Sequence, residues 1–529
     1  MLRAVTREVA EEVAIAAGVC IRPIPYRRVD VRTGLAEVVG VPCGSTMEAK
    51  CPPCARRARQ VRRAQCREGW HRESEPVPAE ATDDQRDLMI ARGHLTLQRE
   101  EAVHAGVDAD ALRDLDLTID AVDRQIQAAG MVGGVSGRSG GGRSRSTRRR
   151  QDAPDLPRRV MRQTTIGRVF RAPDGKTFRP SMFVTLTLPS YGRVRGGVPV
   201  NPAAYDYGRA ARDAVHFSKL VDRFVQNLRR VAGFDVQYFA TVEPQRRLAP
   251  HLHIALRGTL PRAELRQIIA ATYHQVWWPP TDVVRFDGDR LPVWSAGGYV
   301  DPATGEALPT WDEALDRLGS DEDAEPLHVT RFGAQFDAQG VLSGSQDADQ
   351  RVRYLTKYLT KSLGDPVGDA AEGGDAARWA HVGRLVEALR YEPCSPACAN
   401  WLRFGVQPKG AKAGMVPGRC RGKAHKPSHL GYAGRRVLVS RRWSGRTRGD
   451  HLRDRRAWVM EALGLGDGGG GEEPGRFVWV PVAAGDPVAG SRVLRLLREV
   501  ARRQRGRAAL AEAASRSRGD GTAEEVVTA

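Results

Sequence analysis

Apolar positions along this chain recur at three- and four-residue steps in some stretches and run together or alternate in others, so helices and strands are both expected. Leu2, Val5, Val9 and Val13 share one stripe and predict a short amphipathic helix within residues 1–18. Between 82 and 128, Leu112, Leu115, Ile119, Val122 and Ile126 keep helical spacing while Asp and Arg fill the other faces, which predicts a helical hairpin. Tyr205 to Val231 reads as a long helix burying Val215, Leu220, Phe224 and Leu228, and Glu264 to Val276 as a further helix. Met182 to Leu188 is an apolar, threonine-rich strand stopped by Pro189. Asp235 to Glu243 and Leu252 to Arg257 are strands joined by the connection Pro244 to Pro250. Strand, helix, hairpin-connected strands and helix in that order predict an α+β fold, a central antiparallel sheet with flanking helices.

Changes in composition set the expected boundaries. Residues 1–129 form an N-terminal cysteine-containing and helical region, and 130–158 a Gly/Ser/Arg linker. The α+β domain spans 159–364, with a less regular insertion at 279–350. A basic region with cysteines follows over 365–463. A linker, the short strand Phe477 to Val482, the Arg-rich helix Arg492 to Ala514 and a tail complete 464–529.

Charge narrows the partners. The 529 residues carry 82 Lys+Arg against 63 Asp+Glu, a formal +19, which favours a polyanionic partner. No stretch reaches the 18 apolar residues of a membrane span and no export signal is visible, so a cytoplasmic protein with reduced thiols and no membrane partner is expected.

Seven of the eight cysteines fall in two groups. Cys43, Cys51, Cys54 and Cys66 follow C-x7-C-x2-C-x11-C, with Cys20 and His71 competing for the fourth place. Cys394, Cys398, Cys420 and His425 follow C-x3-C-x21-C-x4-H, with His429 as the alternative to His425. Both spacings suit structural Zn²⁺, which takes four soft ligands in a tetrahedron. Arg56, Arg57, Arg59, Arg62 and Arg63 follow the first group and offer a face for phosphates, or a solvated helix face. Lys426 to Arg456 mixes arginines with Tyr432, Trp443 and His451, which suits backbone tracking and base stacking.

The chemistry is concentrated in two further stretches. His251 and His253 are two apart on a strand and point the same way, with Leu252 toward the core. Glu243 on the preceding strand is the natural third ligand of a divalent cation such as Mg²⁺ or Mn²⁺, with His328 and Gln335 as weaker alternatives. Tyr354, Lys357, Tyr358 and Lys361 lie at i, i+3, i+4 and i+7 and share one helix face, opposite Val352, Leu355 and Leu359. A phenol with its usual pKa near 10 becomes a useful nucleophile when a metal polarises the phosphate it attacks and a cation favours the phenolate.

FVTLTLP, PHLHIAL and YLTKYLTK, in that order, resemble the motif set of HUH (His-hydrophobic-His) rolling-circle replication initiators. The paired tyrosines resemble the two-tyrosine branch. The flanking VEPQRRLAPHLHIALRG and VQPKGAKAGMVPGRC resemble initiators of actinobacterial plasmids and integrative conjugative elements, over roughly residues 40–460. The resemblance implies an HUH nuclease domain between an N-terminal zinc-ribbon and helical region and a C-terminal zinc-binding basic region. It implies that His251 and His253 bind the catalytic metal, and that Tyr358, the better match, or Tyr354 attacks the origin strand. A 5′-phosphotyrosine and a free 3′-OH would result, with Lys361 and Lys357 orienting the phenolate. The sequence carries no GxxxxGK[ST] phosphate loop, so a host helicase is expected beside the host polymerase. An HUH transposase or relaxase, and a noncatalytic zinc-containing DNA-binding protein, are the competing classes.

Overall fold

Five antiparallel strands collected from distant parts of the chain build the central sheet of the computed structural model. The structure describes residues 6–129 except 71, 73 and 76–80, then 131, and 156–357 except 168, 172, 176, 343 and 344. It further describes 375–452 except 447 and 448, then 476–483, 486 and 490–520. The described residues divide into two compact units, Pro76–Arg150 and the remainder.

In the larger unit, helix α1 (Arg7–Ala17) leads into a three-stranded sheet of β1 (Ile24–Asp30), β2 (Ala36–Val41) and the late strand β8 (Phe477–Pro481). Helix α2 (Pro52–Trp70) follows. The smaller unit holds α3 (Asp83–His104) and α4 (Ala109–Ala128), the expected hairpin. Thr82 opens α3 with a capping box, Asp108 caps α4, and Arg92 and Arg99 of α3 pair with Asp123 and Asp116 of α4.

The central sheet runs in the spatial order β6 (Phe336–Leu342), β3 (Pro180–Thr187), β5 (Pro250–Arg257), β4 (Tyr238–Pro244), β7 (Val437–Val439). The histidine strand β5 is therefore the middle one. Alternation along it separates two faces. Leu252, Ile254 and Leu256 join Val184, Leu186 and Val242 beneath α5 (Tyr207–Ala232), whose Phe217, Leu220, Phe224 and Leu228 fill the main core. Asp206 caps α5, and Gly233 ends it in the left-handed region at φ 69°. Helix α6 (Arg262–Ala271) also packs on α5. The other face carries the histidines and is covered further along by Phe183, Phe239, Ala255, Trp70, Trp443 and the apolar side of α8 (Gln346–Lys357). Helix α7 (Trp311–Ser320) packs with Trp278 and Trp401 in a small separate core. Helix α9 (Asp375–Tyr391) returns to α5, and α10 (Arg492–Asp520) packs on α1.

Several expectations are corrected. Residues 279–350 are not wholly an insertion, because β6 is an edge strand of the central sheet, hydrogen-bonded along β3 from Phe336↔Leu186 to Leu342↔Pro180. The basic region after 365 is likewise not separate: β7 is the opposite edge strand, and Trp443 lies fully buried among Phe239, Trp70 and Cys66. The helix expected through Val276 stops at Ala271, and Tyr273–Val276 pairs instead with His328–Arg331. Helical periodicity there lost to an available strand partner, whose ladder bonds satisfy the backbone. The chain ends expected in different regions meet in one module. Strand β8 pairs with β1, and Arg492 of α10 donates to Glu11 and to the Ile21 carbonyl. Most of the expected 130–158 linker lies outside the described residues. No helix among the described residues is long and apolar enough to cross a membrane.

Candidate active site and cysteine centres

Register places the histidines. His251 sits opposite Glu243 on one side and Thr187 on the other, and His253 opposite Thr241 and Thr185. Directly opposed residues share a face, so all six side chains leave the sheet together. His253 is 4% exposed, stacked on Phe183 at a centroid distance of 5.9 Å. Its Nδ1 lies 3.1 Å from Thr185 Oγ1, while Nε2 lies 3.3 Å from the Tyr354 hydroxyl and 3.8 Å from Glu243 Oε2. Burial, helped by His251, pulls the His253 pKa down to about 3, so its imidazole is neutral near pH 7. A neutral ring with one nitrogen on a threonine hydroxyl and the other facing a carboxylate is fit to ligate a cation.

His251 is held by a network the sequence reading missed. Arg247 donates to Gln245 Oε1 (2.7 Å), Thr187 Oγ1 (2.9 Å) and the carbonyls of Leu188 and Pro189 (2.6 and 2.9 Å). A guanidinium only donates, so it fixes the Gln245 oxygen toward itself and the amide nitrogen toward His251 Nδ1 at 3.2 Å. Nδ1 then accepts and the ring proton sits on Nε2. His251 therefore needs Gln245 to turn before it can offer Nε2 to a metal, whereas His253 and Glu243 are already suited. Burial, then Arg247, holds the His251 pKa below its usual value. Arg436, pulled down to about 10 by burial, feels the Glu243 carboxylate and is a second cation beside the site. The run of polar residues Gln245-Arg246-Arg247 in the Pro244–Pro250 connection was the available signal for Gln245 and Arg247; no local pattern marked Arg436.

Helix α8 delivers the phenol. Ser345 receives the Ala348 N–H at its start, and Asp347 and Asp349 occupy the first turn, where the helix dipole favours them. Ala348, Val352 and Leu355 bury against Trp70, Trp443 and Val341. That apolar anchoring turns Tyr354, 40% exposed, over the His253 ring at 4.9 Å and 88°. Lys357 is exposed on the last described turn, and Tyr358 and Lys361 lie outside the described residues. His328, an alternative ligand in the sequence reading, instead bonds Asp213 of α5 at 2.8 Å, with Tyr191 donating to the other Asp213 oxygen.

Two tighter groups stand elsewhere. Among the described residues, Cys20, Cys43, Cys51 and Cys54 bring their sulfurs within 4.8 Å of one another, and so do the ligand atoms of Cys394, Cys398, Cys420 and His425. His251, His253 and Glu243 do not form such a set. Tetrahedral zinc with bonds near 2.3 Å needs ligand separations of about 3.8 Å. Cys51 and Cys20 Sγ are 3.8 Å apart, and Cys398 Sγ and His425 Nε2 3.5 Å. His425 Nδ1 lies 2.7 Å from the Leu389 carbonyl, which fixes Nε2 toward the thiols. Gly422 is needed beside them, since a Cβ there would lie 3.0 Å from Cys394 Sγ. Either group could hold zinc.

Cys20 thus takes the place expected for Cys66. Cys54 and Cys66 lie on one continuous helix, and twelve residues at ~1.5 Å each separate them by roughly 18 Å, too far for one tetrahedron. Cys66 is fully buried with Trp70 and Trp443, its carbonyl accepting from Trp443 Nε1 at 3.2 Å. His429, the alternative to His425, is not in the second group, and His71 lies outside the described residues.

A model of the family described as RepSA, replication initiator protein, pSAM2, matches residues 6–502. No curated protein and no solved structure matches the chain.

Proposed function

This chain belongs to the RepSA family of replication initiators, and on that premise we propose that it acts as an HUH-type endonuclease that nicks one strand of origin DNA with a tyrosine. The observation supporting this most is the Tyr354 hydroxyl 3.3 Å from His253 Nε2, on a sheet face that also presents His251 and Glu243. Mg²⁺ or Mn²⁺, taken by His253 and Glu243 and by His251 once Gln245 turns, would polarise the scissile phosphate when bound.

The rest falls to side chains of the chain. Tyr354, or Tyr358 four residues later in the sequence, loses its proton to water, and the ammonium groups of Lys357 and Lys361 favour the phenolate. The phenolate oxygen attacks phosphorus and forms a 5′-phosphotyrosine ester. The bond from phosphorus to the 3′ oxygen breaks, and that oxygen takes up a proton to become a free 3′-OH. A host polymerase extends it in rolling-circle synthesis while a host helicase separates the strands, and the second tyrosine resolves the covalent complex after a round. The protein works in the cytoplasm, with zinc at the two cysteine centres serving structure.

Incubating supercoiled origin plasmid with the protein and Mg²⁺ or Mn²⁺ tests the proposal. A nicked product with protein attached to a 5′ end is expected, and its loss in the Tyr354→Phe/Tyr358→Phe double variant. Wild type that binds the DNA and never forms the adduct would sink the nuclease reading.

A further inference from the structure

The two ends of the chain close one arginine-lined cleft. It has a volume of about 280 Å³ and lies between the Cys20–Cys43–Cys51–Cys54 group and α10, lined in part by Cys54, Arg57, Glu499, Arg502 and Arg503. Glu499 is engaged, accepting from the Gly40 N–H at 3.2 Å and from Arg502 at 3.0 Å, and Arg502 also pairs with Glu37. Arg503 is held against α1, its Nε donating to the Ala17 carbonyl at 2.8 Å and its guanidinium against Gly18, at φ 73°.

Arg57 of α2 and Arg507 of α10 both act on Arg503, whose pKa is lowered by burial first and then by these two cations. No ion pair to any of the three is found among the described residues. With the Glu499 carboxylate taken by Gly40 and Arg502, the three guanidinium groups repel one another, and a polyanion removes that cost. Arg503 and Arg507 are four residues apart on one helix face, about 6 Å along the axis. That matches roughly two nucleotide steps at ~3.4 Å per strand.

We propose that Arg57, Arg503 and Arg507 seat the phosphate backbone of duplex DNA, so that the N-terminal cysteine centre and the C-terminal helix together form the duplex-binding surface of this initiator. The proposal rests on the family reading that the chain acts on DNA, but not on the nicking chemistry. The cysteine centre's part is to hold the start of α2, and with it Arg57, against α10.

The test is fluorescence anisotropy of the full chain with a labelled duplex of random sequence, without added divalent metal, across a sodium chloride series. An Arg57→Gln/Arg503→Gln/Arg507→Gln variant is compared with wild type and with Arg317→Gln, an exposed arginine on α7. The triple variant is expected to make the negative slope of log K against log salt shallower by about 2.7, at ~0.9 per phosphate contact, while Arg317→Gln leaves it unchanged. Zinc content per chain is measured on the same samples. An unchanged slope overturns the proposal. Loss of zinc with an intact slope overturns it too, since the arginines would then only balance the thiolate charge. So does a loss confined to single-stranded DNA, or a lost response to millimolar inorganic phosphate with duplex binding intact. Wild type that never nicks, with the slope becoming shallower as expected, would refute the nuclease reading and leave this one standing.

Discussion

Helix α2 joins the first cysteine centre to α8, the helix that carries Tyr354, and Gly69 is where that connection is tightest. A Cβ on Gly69 would lie 2.2 Å from Cδ1 and Nε1 of Trp443. The indole has nowhere to go: it is fully buried, its N–H donates to the Cys66 carbonyl, and Arg257 bonds both the Gly69 and Trp443 carbonyls. Gly69→Ala gains about 1 kcal/mol of helix propensity. Against this stand overpacking of ~1–3 kcal/mol and a lost buried hydrogen bond of ~1 kcal/mol. The balance is a destabilisation of about 1–3 kcal/mol. Gly93→Ala in α3 is the matched control, because nothing lies within 4 Å of a Cβ there and only the propensity gain remains. Hydrogen exchange read by mass spectrometry resolves both helices in one sample. Amides of α2 are expected to exchange about 5- to 150-fold faster in Gly69→Ala, and those of α3 about fivefold slower in Gly93→Ala. Slowed α2 exchange in Gly69→Ala would refute the interlock with Trp443.

The same structure makes two further predictions. Cys20→Ser should lower bound zinc from about two per chain to about one, whereas Cys66→Ser should leave it near two, as read by atomic absorption after dialysis; the reverse pattern would restore Cys66 as the ligand. His216, 6% exposed and against Trp278, and His274 beside it have pKa values lowered to about 3 and about 4, chiefly by burial. The unfolded chain then binds more protons below the usual histidine pKa near 6.5, so stability is full above pH 6.5. It falls toward pH 4 by up to ~1.4 kcal/mol per pH unit for each histidine. Urea melts between pH 7 and 4.5 should show a shallower acid loss for His216→Phe, and an unchanged slope would refute the assignment.

Much of the site was legible because its signals are local. Period two on a strand put His251 and His253 on one face, and the short connection brought Glu243 opposite His251, where the register has it. Helical spacing put Tyr354 and Lys357 on one helix, and spacing alone grouped Cys394, Cys398, Cys420 and His425. Gln245 and Arg247 were passed over because their roles depend on which atoms face each other across the loop. Arg436 was passed over because it adjoins the neighbouring edge strand, which lies far from Glu243 in the sequence.

The sequence by itself determined the periodic elements, the face on which the histidines stand and the sulfur-rich clusters, all of which arise from neighbours a few residues apart. Tertiary structure decided which distant pieces complete them. It chose Cys20 over Cys66, since a continuous helix carries Cys66 away from Cys54. It placed Phe336–Leu342 and Val437–Val439 as the edges of the central sheet, since unpaired strand groups need partners wherever the chain supplies them. It also folded residues 477–481 and α10 back onto β1 and α1, a closure across most of the chain whose loop entropy grows only slowly with length and which no local pattern announces.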